Sequence, residues 1–282
     1  ISSMHPEGRF NVRWRIDRTL PGQLKPYSSM RLELVNCRVN YEKFPYPLSG
    51  IRGVIQAEDN RWSFRDLVSG GSRNIECEGS LLPSDAGSEL ALQFVGKEVP
   101  LDDDLMHALP PAVQKAWTEV RPRGRVDLVA EIYHSTGLAK PSIRVAMQPR
   151  ADSTSIEPRF FPYQMNIADG TFNYQDGKVI MTNVLANHSR TTIRTNGSGE
   201  FHPDGSWHMQ LENLSADRLA ARRDLLEALP PKLQKVVDQL RPTGNNFAIN
   251  SGNFRFSKPA DPIKDITSVS YTHLTLPTNR EV

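Results

Sequence analysis

The sequence has only two cysteines, almost no net charge and no long apolar run. Its 34 basic and 32 acidic residues leave a net charge of +2, so charge gives no broad case for binding nucleic acid or an anionic membrane surface. No apolar run approaches the roughly 20 residues that a membrane helix needs. Hydrophobic residues at 38% and charged residues at 23% nevertheless predict a folded chain rather than a disordered one.

The two cysteines, Cys37 and Cys77, both lie in segments with strand-like patterns. They could pair in an oxidising compartment. The repeat described below gives neither of them a counterpart in its second copy. Two separate buried thiols are therefore the favoured interpretation.

The sequence also lacks the spacings that carry catalysis or metal binding. No histidine belongs to an H-E-x-x-H motif or stands at metal-ligand spacing with a cysteine. His202 and His208 flank a Pro-Asp-Gly turn and are interpreted as surface polar residues. The acidic run 102–104 is interpreted as favourable charge at a helix N-terminus rather than a divalent-metal site. We therefore predict no enzyme, no cofactor and no metal.

Two further patterns suggest sites and have simpler explanations. Gly70-Gly71-Ser72 and Gly197-Ser198-Gly199 follow no strand-to-helix transition, which favours turn or bulge glycines over a phosphate loop. Arg13, Trp14 and Arg15 alternate along one strand, which predicts a solvated face with the two arginines and a packed face with the tryptophan. No nucleic-acid partner is predicted from them.

Residues 269–282 read VSYTHLTLPTNREV, and ten of them resemble the translation of a common transposase sequencing adapter. We expect this tail to be a processing scar rather than part of a natural fold. Ile1 is not an initiator methionine, and the sequence begins within the repeat pattern described below. The natural protein is therefore expected to extend beyond this sequence.

What is present is an internal repeat. ALPPAVQKAWTEVRPRG at 108–124 recurs as ALPPKLQKVVDQLRPTG at 228–244, an offset of 120. FPY at 44 recurs at 161, an offset of 117. A shared period with different surface residues is typical of a stacked array.

Pro-x-Gly opens each copy, at Gly8, Gly124 and Gly244. The predicted organisation is the end of a preceding repeat at 1–7, unit 1 at 8–123, unit 2 at 124–243, the start of a third unit at 244–258, a linker at 259–268 and the non-native tail at 269–282.

Within each unit the pattern predicts five or six short strands followed by a bent helix pair. The Asp-Gly at 176–177 separates two strand-like runs as a hairpin turn does. Helices are expected at 102–121, with Asp102 as N-cap, and at 215–241, with Ser215 as N-cap. A Pro-Pro pair bends each helical segment. The predicted fold class is mostly β with α (α+β), as tandem antiparallel meanders forming a continuous curved sheet or groove.

Strands of period two give each meander one apolar face. The residues expected to line a groove, or to form the core beneath it, are Trp62, Phe64, Leu90, Leu92, Phe94, Trp207, Met209 and Leu211. The sequence does not decide whether the helices cover this face or leave it open.

The pattern of FPY, a turn, an aromatic strand and a strand ending in glycine resembles the AsmA-like and TamB-like proteins of Gram-negative envelopes. It is carried by segments 44–53, 61–64 and 75–79, and by 161–170, 179–184 and 193–199. The ALPPxxQK segment resembles a variant found in long envelope proteins of planctomycete-like bacteria. The resemblance implies a periplasmic β-groove for phospholipid acyl chains, anchored in the inner membrane through a segment outside this sequence.

The sequence is also compatible with two other functions. One is a structural or adhesive array in which each unit closes its own core and binds no ligand. The other is an enzyme or a sugar-binding module, for which a polar cleft with convergent carboxylates would be the sign.

Overall fold

The computed structural model describes residues 7–18, 26–41, 44–71, 73–220, 223–229, 234, 246–260 and 268–275. Strands account for 68% of the structure, they pair antiparallel, and helices are few. The prediction of a mostly β chain is therefore confirmed. Among the described residues, no helix combines the length and the apolar character needed to cross a bilayer.

The chain divides into two compact units, residues 1–108 with 127–146 and residues 109–126 with 147–282. In the first unit, strands that follow one another in sequence are neighbours in the sheet. Its elements are β1 (Glu7–Asp17), β2 (Tyr27–Tyr41), β3 (Phe44–Glu58), β4 (Arg61–Val68), β5 (Asn74–Ser84), β6 (Gly87–Pro100), α1 (Asp103–Ala108), β7 (Arg125–Ser135) and β8 (Ser142–Pro149), with the ends of β7 and β8 in the second unit.

The second unit contains α2 (Pro111–Val120), β9 (Ser155–Ile156), β10 (Met165–Gln175), β11 (Lys178–His188), β12 (Thr191–Phe201), β13 (Trp207–Ala220), α3 (Arg223–Ala228), β14 (Asn246–Ile249), β15 (Ser251–Lys258) and β16 (Ser268–Thr275). Its sheet order is β10-β11-β12-β13-β15-β16. β9 pairs with β10, and β14 pairs with β13.

The predicted start of the second helical segment at residue 215 is wrong. Ser215 lies inside β13, where it pairs with Arg194 of β12, and α3 begins only at Arg223. Cross-strand hydrogen bonding extends the strand past the point where the local pattern suggests a helix cap. Most of the chain between 230 and 245, where the second helix of this pair is predicted, lies outside the described residues.

Residues 268–275, most of which belong to the predicted non-native tail, form β16 on the open edge of β15. This pairing uses backbone groups, which an exposed strand edge offers to any extended segment. The origin of the tail therefore stays a prediction.

Each unit contains a similar β-bulge. Opposite Gly53 of β3, the β4 residue Asp66 has φ 51°. Opposite Gly170 of β10, the β11 residue Asn183 has φ 52°. Aspartate and asparagine tolerate this left-handed conformation better than most side chains, and a bulge increases the local bend and twist.

Three strand residues with positive φ are fixed by side chains of the neighbouring strand. The backbone N–H of each donates to a side-chain oxygen: Glu98 to Asp127 at 2.8 Å, Asn183 to Asn196 at 2.8 Å, and Asn213 to Asn253 at 3.0 Å. Polar side chains thus satisfy the donors that the irregular ladder leaves unpaired.

Helix α1 begins as its sequence predicts. Oδ1 of Asp102 accepts the N–H of Leu105 at 2.9 Å, which makes Asp102 the N-cap. The side chains of Asp102 and Asp104 also pair with the guanidinium of Arg73, which lies over the ring of Tyr46. The acidic run thus caps and fastens a helix.

Replacing Asp102 with alanine should lower the free energy of unfolding by about 1 kcal/mol, because it removes the cap and one partner of Arg73. The matched change Asp103→Ala alters helix-terminal charge at an exposed site and should cost only a few tenths of a kcal/mol. Urea unfolding of both variants measures the difference. Equal losses would show that the cap contributes nothing.

Each unit has its own apolar core. In the first unit Tyr46, Ile51, Val99, Leu105 and Ala108 are buried, where α1 packs on β3. In the second unit one cluster joins strands β10 to β13 to α3, including Tyr163, Ile167, Val184, Leu225 and Ala228. In both units, therefore, the tyrosine of the FPY segment is buried together with residues of a short helix.

Candidate functional site

The main candidate site is an apolar face of the first unit that its helix covers only at one end. Strand pairing aligns one row of side chains across six strands: Trp14, Met30, Ala57, Trp62, Leu81 and Leu90. The next row contains Val12, Leu32, Ile55, Phe64, Gly79 and Leu92. We call these twelve residues the apolar rows.

The apolar rows contain no charged residue. The opposite face of the same strands carries Arg13, Arg31, Gln56, Ser63, Ser80, Arg65, Glu78 and Gln93. Such a division between two faces is what period-two alternation predicts for a sheet with one side away from water.

Part of this apolar surface is nevertheless in contact with solvent, most clearly on β1. On β1 the side chains of Trp14, Val12, Phe10 and Ile16 are 68%, 49%, 55% and 56% exposed. Those of Trp62, Phe64, Leu90 and Leu92 are only half-buried. Contiguous exposed apolar surface usually marks a place where another apolar body binds.

Helix α1 covers one end of the sheet and leaves the apolar rows open. Its buried residues Leu105 and Ala108 lie where α1 packs on β3, near the buried Tyr46. The apolar rows lie toward the other end of β3, beyond Gly53.

The eight predicted lining residues fall into two environments. Trp62, Phe64, Leu90, Leu92 and Phe94 are half-buried on the apolar face of the first unit. The other three belong to a cluster of the second unit.

Trp207 is 5% exposed and packs with Phe254 and Phe256, with Met209 and Leu211 against them. The ring of Phe160, from the loop before β10, lies 5.6 Å from that of Trp207 and 4.9 Å from that of Phe256. An aromatic residue from a loop thus covers this part of the second unit.

The sequence interpretation of β1 is partly wrong. Arg13 and Arg15 do lie on a solvated face, but Trp14 on the opposite face is exposed rather than packed. Among the described strands β1 pairs only with β2, and its apolar side chains Phe10, Val12, Trp14 and Ile16 are all exposed. The alternation along β1 predicts the correct face for Trp14. Its exposure depends on which other elements pack against that face.

Other members of the apolar rows were not singled out from the sequence. Met30, Leu32, Ile55 and Leu81 continue the rows between the predicted aromatic residues. Their alternation within MRLEL and the following strands is the signal that would have found them.

Both cysteines are free thiols, in agreement with the favoured interpretation. Cys37 is buried, with Sγ 3.4 Å from the carbonyl oxygen of Arg9. Burial, together with the charge of Glu78, raises the pKa of the Cys77 thiol to about 12. At neutral pH this thiol is protonated and behaves as a small apolar side chain.

The glycine motifs also have structural roles. Gly70 and Gly71 lie in the connection between β4 and β5, while Ser72 lies outside the described residues. Gly197 and Gly199 lie within β12, and a Cβ at Gly197 would come within 2.7 Å of the Met181 side chain. Gly197 thus admits close packing, and neither motif connects a strand to a helix as a phosphate loop does.

One polar cluster was not foreseen. Glu200, His202 and His208 meet at the β12–β13 hairpin, with one ligating atom from each within 4.8 Å of the others. From the sequence, the two histidines were interpreted only as surface polar residues that flank a turn. Their common position follows from the pairing of β12 with β13.

Comparisons with models of known protein families, with curated proteins and with solved structures find no match for this chain.

Proposed function

We propose that this chain is a non-enzymatic segment of an AsmA-like or TamB-like envelope protein whose apolar rows hold phospholipid acyl chains. The observation that carries the proposal is the uncovered, uncharged apolar face of β1 to β6. The proposed setting is the periplasm, with anchoring to the inner membrane through a segment outside this sequence.

The dimensions of the apolar rows suit a hydrocarbon chain. Six strands enclose five inter-strand gaps of about 4.8 Å, so each row extends about 24 Å. One leaflet of a bilayer has a hydrocarbon thickness of about 15 Å, half of the roughly 30 Å core. A single row is thus long enough for one extended acyl chain, and the adjacent row lies about 7 Å away for a second.

The free energy of an acyl chain on the apolar rows favours exchange with a membrane over permanent binding. Removing a methylene group from water contributes roughly 0.8 kcal/mol, so an acyl chain on this face is strongly stabilised relative to water. The same chain in a bilayer is already away from water. Its free energy on the apolar rows is therefore close to that in a membrane, which allows exchange in both directions.

We further propose that the chain contains two copies of one repeat, a strand meander followed by a bent helix pair. Gly170 follows Gly53 by 117 positions, and Asn183 follows Asp66 by the same 117. Each pair shares a bulge and a positive φ. Tyr46 and Tyr163, also 117 apart, are each 4% exposed. An array of such units would lengthen an apolar face strand by strand.

A second candidate function is an array without ligand, in which each unit closes its own core. The aromatic cluster of Trp207, Phe160 and Phe256 favours it, because it buries apolar surface that the first unit leaves open. The two candidates differ in whether phospholipid binds the apolar rows.

The test is native mass spectrometry of the chain purified from bacteria without detergent. We expect co-purifying phospholipid in the parent chain and at least about a tenfold loss in Leu92→Glu, because a carboxylate on the apolar rows must be desolvated when an acyl chain covers it. Vesicle-to-vesicle transfer of fluorescent phospholipid should fall with it.

The matched control is Gln93→Glu, which places the same charge one residue away on the opposite, solvated face. This variant should retain lipid. Circular dichroism establishes that both variants are folded. Absence of phospholipid from the parent, or equal loss in both variants, would favour the array without ligand.

A further inference from the structure

Three potential metal ligands converge at the hairpin between β12 and β13. Glu200 and His208 are direct cross-strand partners, and His202 lies two residues after Glu200 on the same face. Nε2 of His208 is 3.8 Å from Oε2 of Glu200. The two imidazole rings have their centroids 5.9 Å apart.

The turn that carries the histidines is fixed by its own hydrogen bonds. The N–H of His202 donates to the carbonyl oxygen of Ser206 at 2.9 Å, and that of Gly205 donates to the carbonyl oxygen of His202 at 2.9 Å. Oδ1 of Asp204 accepts the N–H of Ser206 at 2.8 Å and its hydroxyl at 2.7 Å. These bonds also hold the pKa of Asp204 below its ordinary value.

The base of the hairpin is anchored in the second unit. Phe201 pairs with Trp207, and Trp207 is buried in its aromatic cluster. His202 and His208 are each adjacent in sequence to one of these two residues. Their backbone positions are therefore set by packing before any ligand binds, which is a requirement for a preorganised site.

We propose that Glu200, His202 and His208 bind a divalent first-row transition metal of the zinc class. Two imidazoles and one carboxylate suit Zn²⁺ and its neighbours, whereas Mg²⁺ and Ca²⁺ select sites made of oxygen ligands. Three protein ligands leave a further coordination position for water. This inference does not depend on the acyl-chain proposal.

The present spacing requires only side-chain adjustment. Tetrahedral ligands about 2.1 Å from a zinc ion stand roughly 3.4 Å from one another. Ligating atoms within 4.8 Å reach that spacing by rotations of side chains that are only partly buried. The backbone of the hairpin need not move.

The surrounding charges are compatible with a cation. Glu200 and Asp204 each contribute a carboxylate, the Lys115 ammonium lies near Gly205, and Lys178 of β11 is the cross-strand partner of Glu200. Two lysines thus face two carboxylates, so these four groups leave no net positive charge that would repel a cation.

Isothermal titration of the whole chain with ZnCl₂ tests the site. We expect one ion per chain. His202→Gln and His208→Gln should each weaken binding by about a hundredfold, and Glu200→Gln by about tenfold. Zinc should also raise the unfolding temperature of the parent chain but not that of the histidine variants, since a ligand that binds only the folded state stabilises it.

The control is His107→Gln, which removes an exposed histidine of α1. It should leave zinc affinity unchanged. Co²⁺ provides a second readout, because its visible absorption reports nitrogen and oxygen ligands directly. Absence of saturable zinc binding, or equal affinity in the parent and in folded His202→Gln and His208→Gln variants, would overturn the proposal.

Discussion

Replacing Gly53 with alanine is expected to lower the free energy of unfolding by about 3 kcal/mol. Gly53 has φ +139°, a conformation that L-residues rarely adopt, and a Cβ there would come within 2.8 Å of the Cα of Leu67. That neighbour is backbone of the β4 bulge and cannot turn aside as a flexible side chain can. Urea unfolding followed by tryptophan fluorescence measures the loss.

The matched control is Gly71→Ala. Gly71 also has a positive φ, +83°, but a Cβ there would meet nothing within 4 Å. We expect it to cost only the conformational strain, about 1–2 kcal/mol. Gly170→Ala, at the corresponding bulge of the second unit, should behave like Gly53→Ala, since its Cβ would lie 2.9 Å from the Cα of Val184. Equal effects of Gly53→Ala and Gly71→Ala would show that the bulges yield readily.

Replacing Lys258 with methionine should have the second large effect. Its ammonium pairs with the carboxylate of Glu119, whose side chain is only 7% exposed. The other basic partner, Arg159, is 4.0 Å away and half-exposed. Removing one partner of a buried pair typically costs 3–5 kcal/mol, and we expect about 2–3 kcal/mol because Lys258 retains some contact with water.

A double-mutant cycle distinguishes a charge effect from lost packing. Glu119→Met combined with Lys258→Met should recover most of the stability, because no charge is then left buried. Arg159→Met should cost less than about 1 kcal/mol, as is usual for an exposed partner. If the double variant were as unstable as the sum of the single ones, the ion pair would not explain the loss.

The two bulges show how far the sequence predicts this fold. Gly53 and Gly170 stand at matching places in two similar segments, and each faces an aspartate or asparagine in the next strand. Glycine and such polar residues mark turns and bulges because of their own backbone preferences. Irregularities of this kind can therefore be anticipated locally, even where the register cannot.

The helix boundaries show where local patterns fail. Asp102 caps α1 as predicted, because the cap bond closes within three residues. Ser215 does not cap a helix, because pairing with Arg194 retains it in β13. A cap depends on nearby residues, whereas strand length depends on a neighbour that the local sequence does not identify.

The candidate sites divide in the same way. The sequence alone determined which residues share an apolar face, since alternation has a period of two whatever the neighbours are. Only the tertiary structure decided that Trp62 and Phe64 are half-buried while a loop residue, Phe160, covers Trp207.

By itself the sequence determined a mostly β chain of amphipathic strands, with caps, turns and bulges at recognisable residues. The tertiary structure decided the partners: Lys258 for Glu119, 139 positions away, and the meeting of Glu200, His202 and His208 at one hairpin. The physical reason is the distance along the chain over which each interaction acts. Backbone preferences act over a few residues, while burial, ion pairing and convergence of ligands depend on which strands and helices come together.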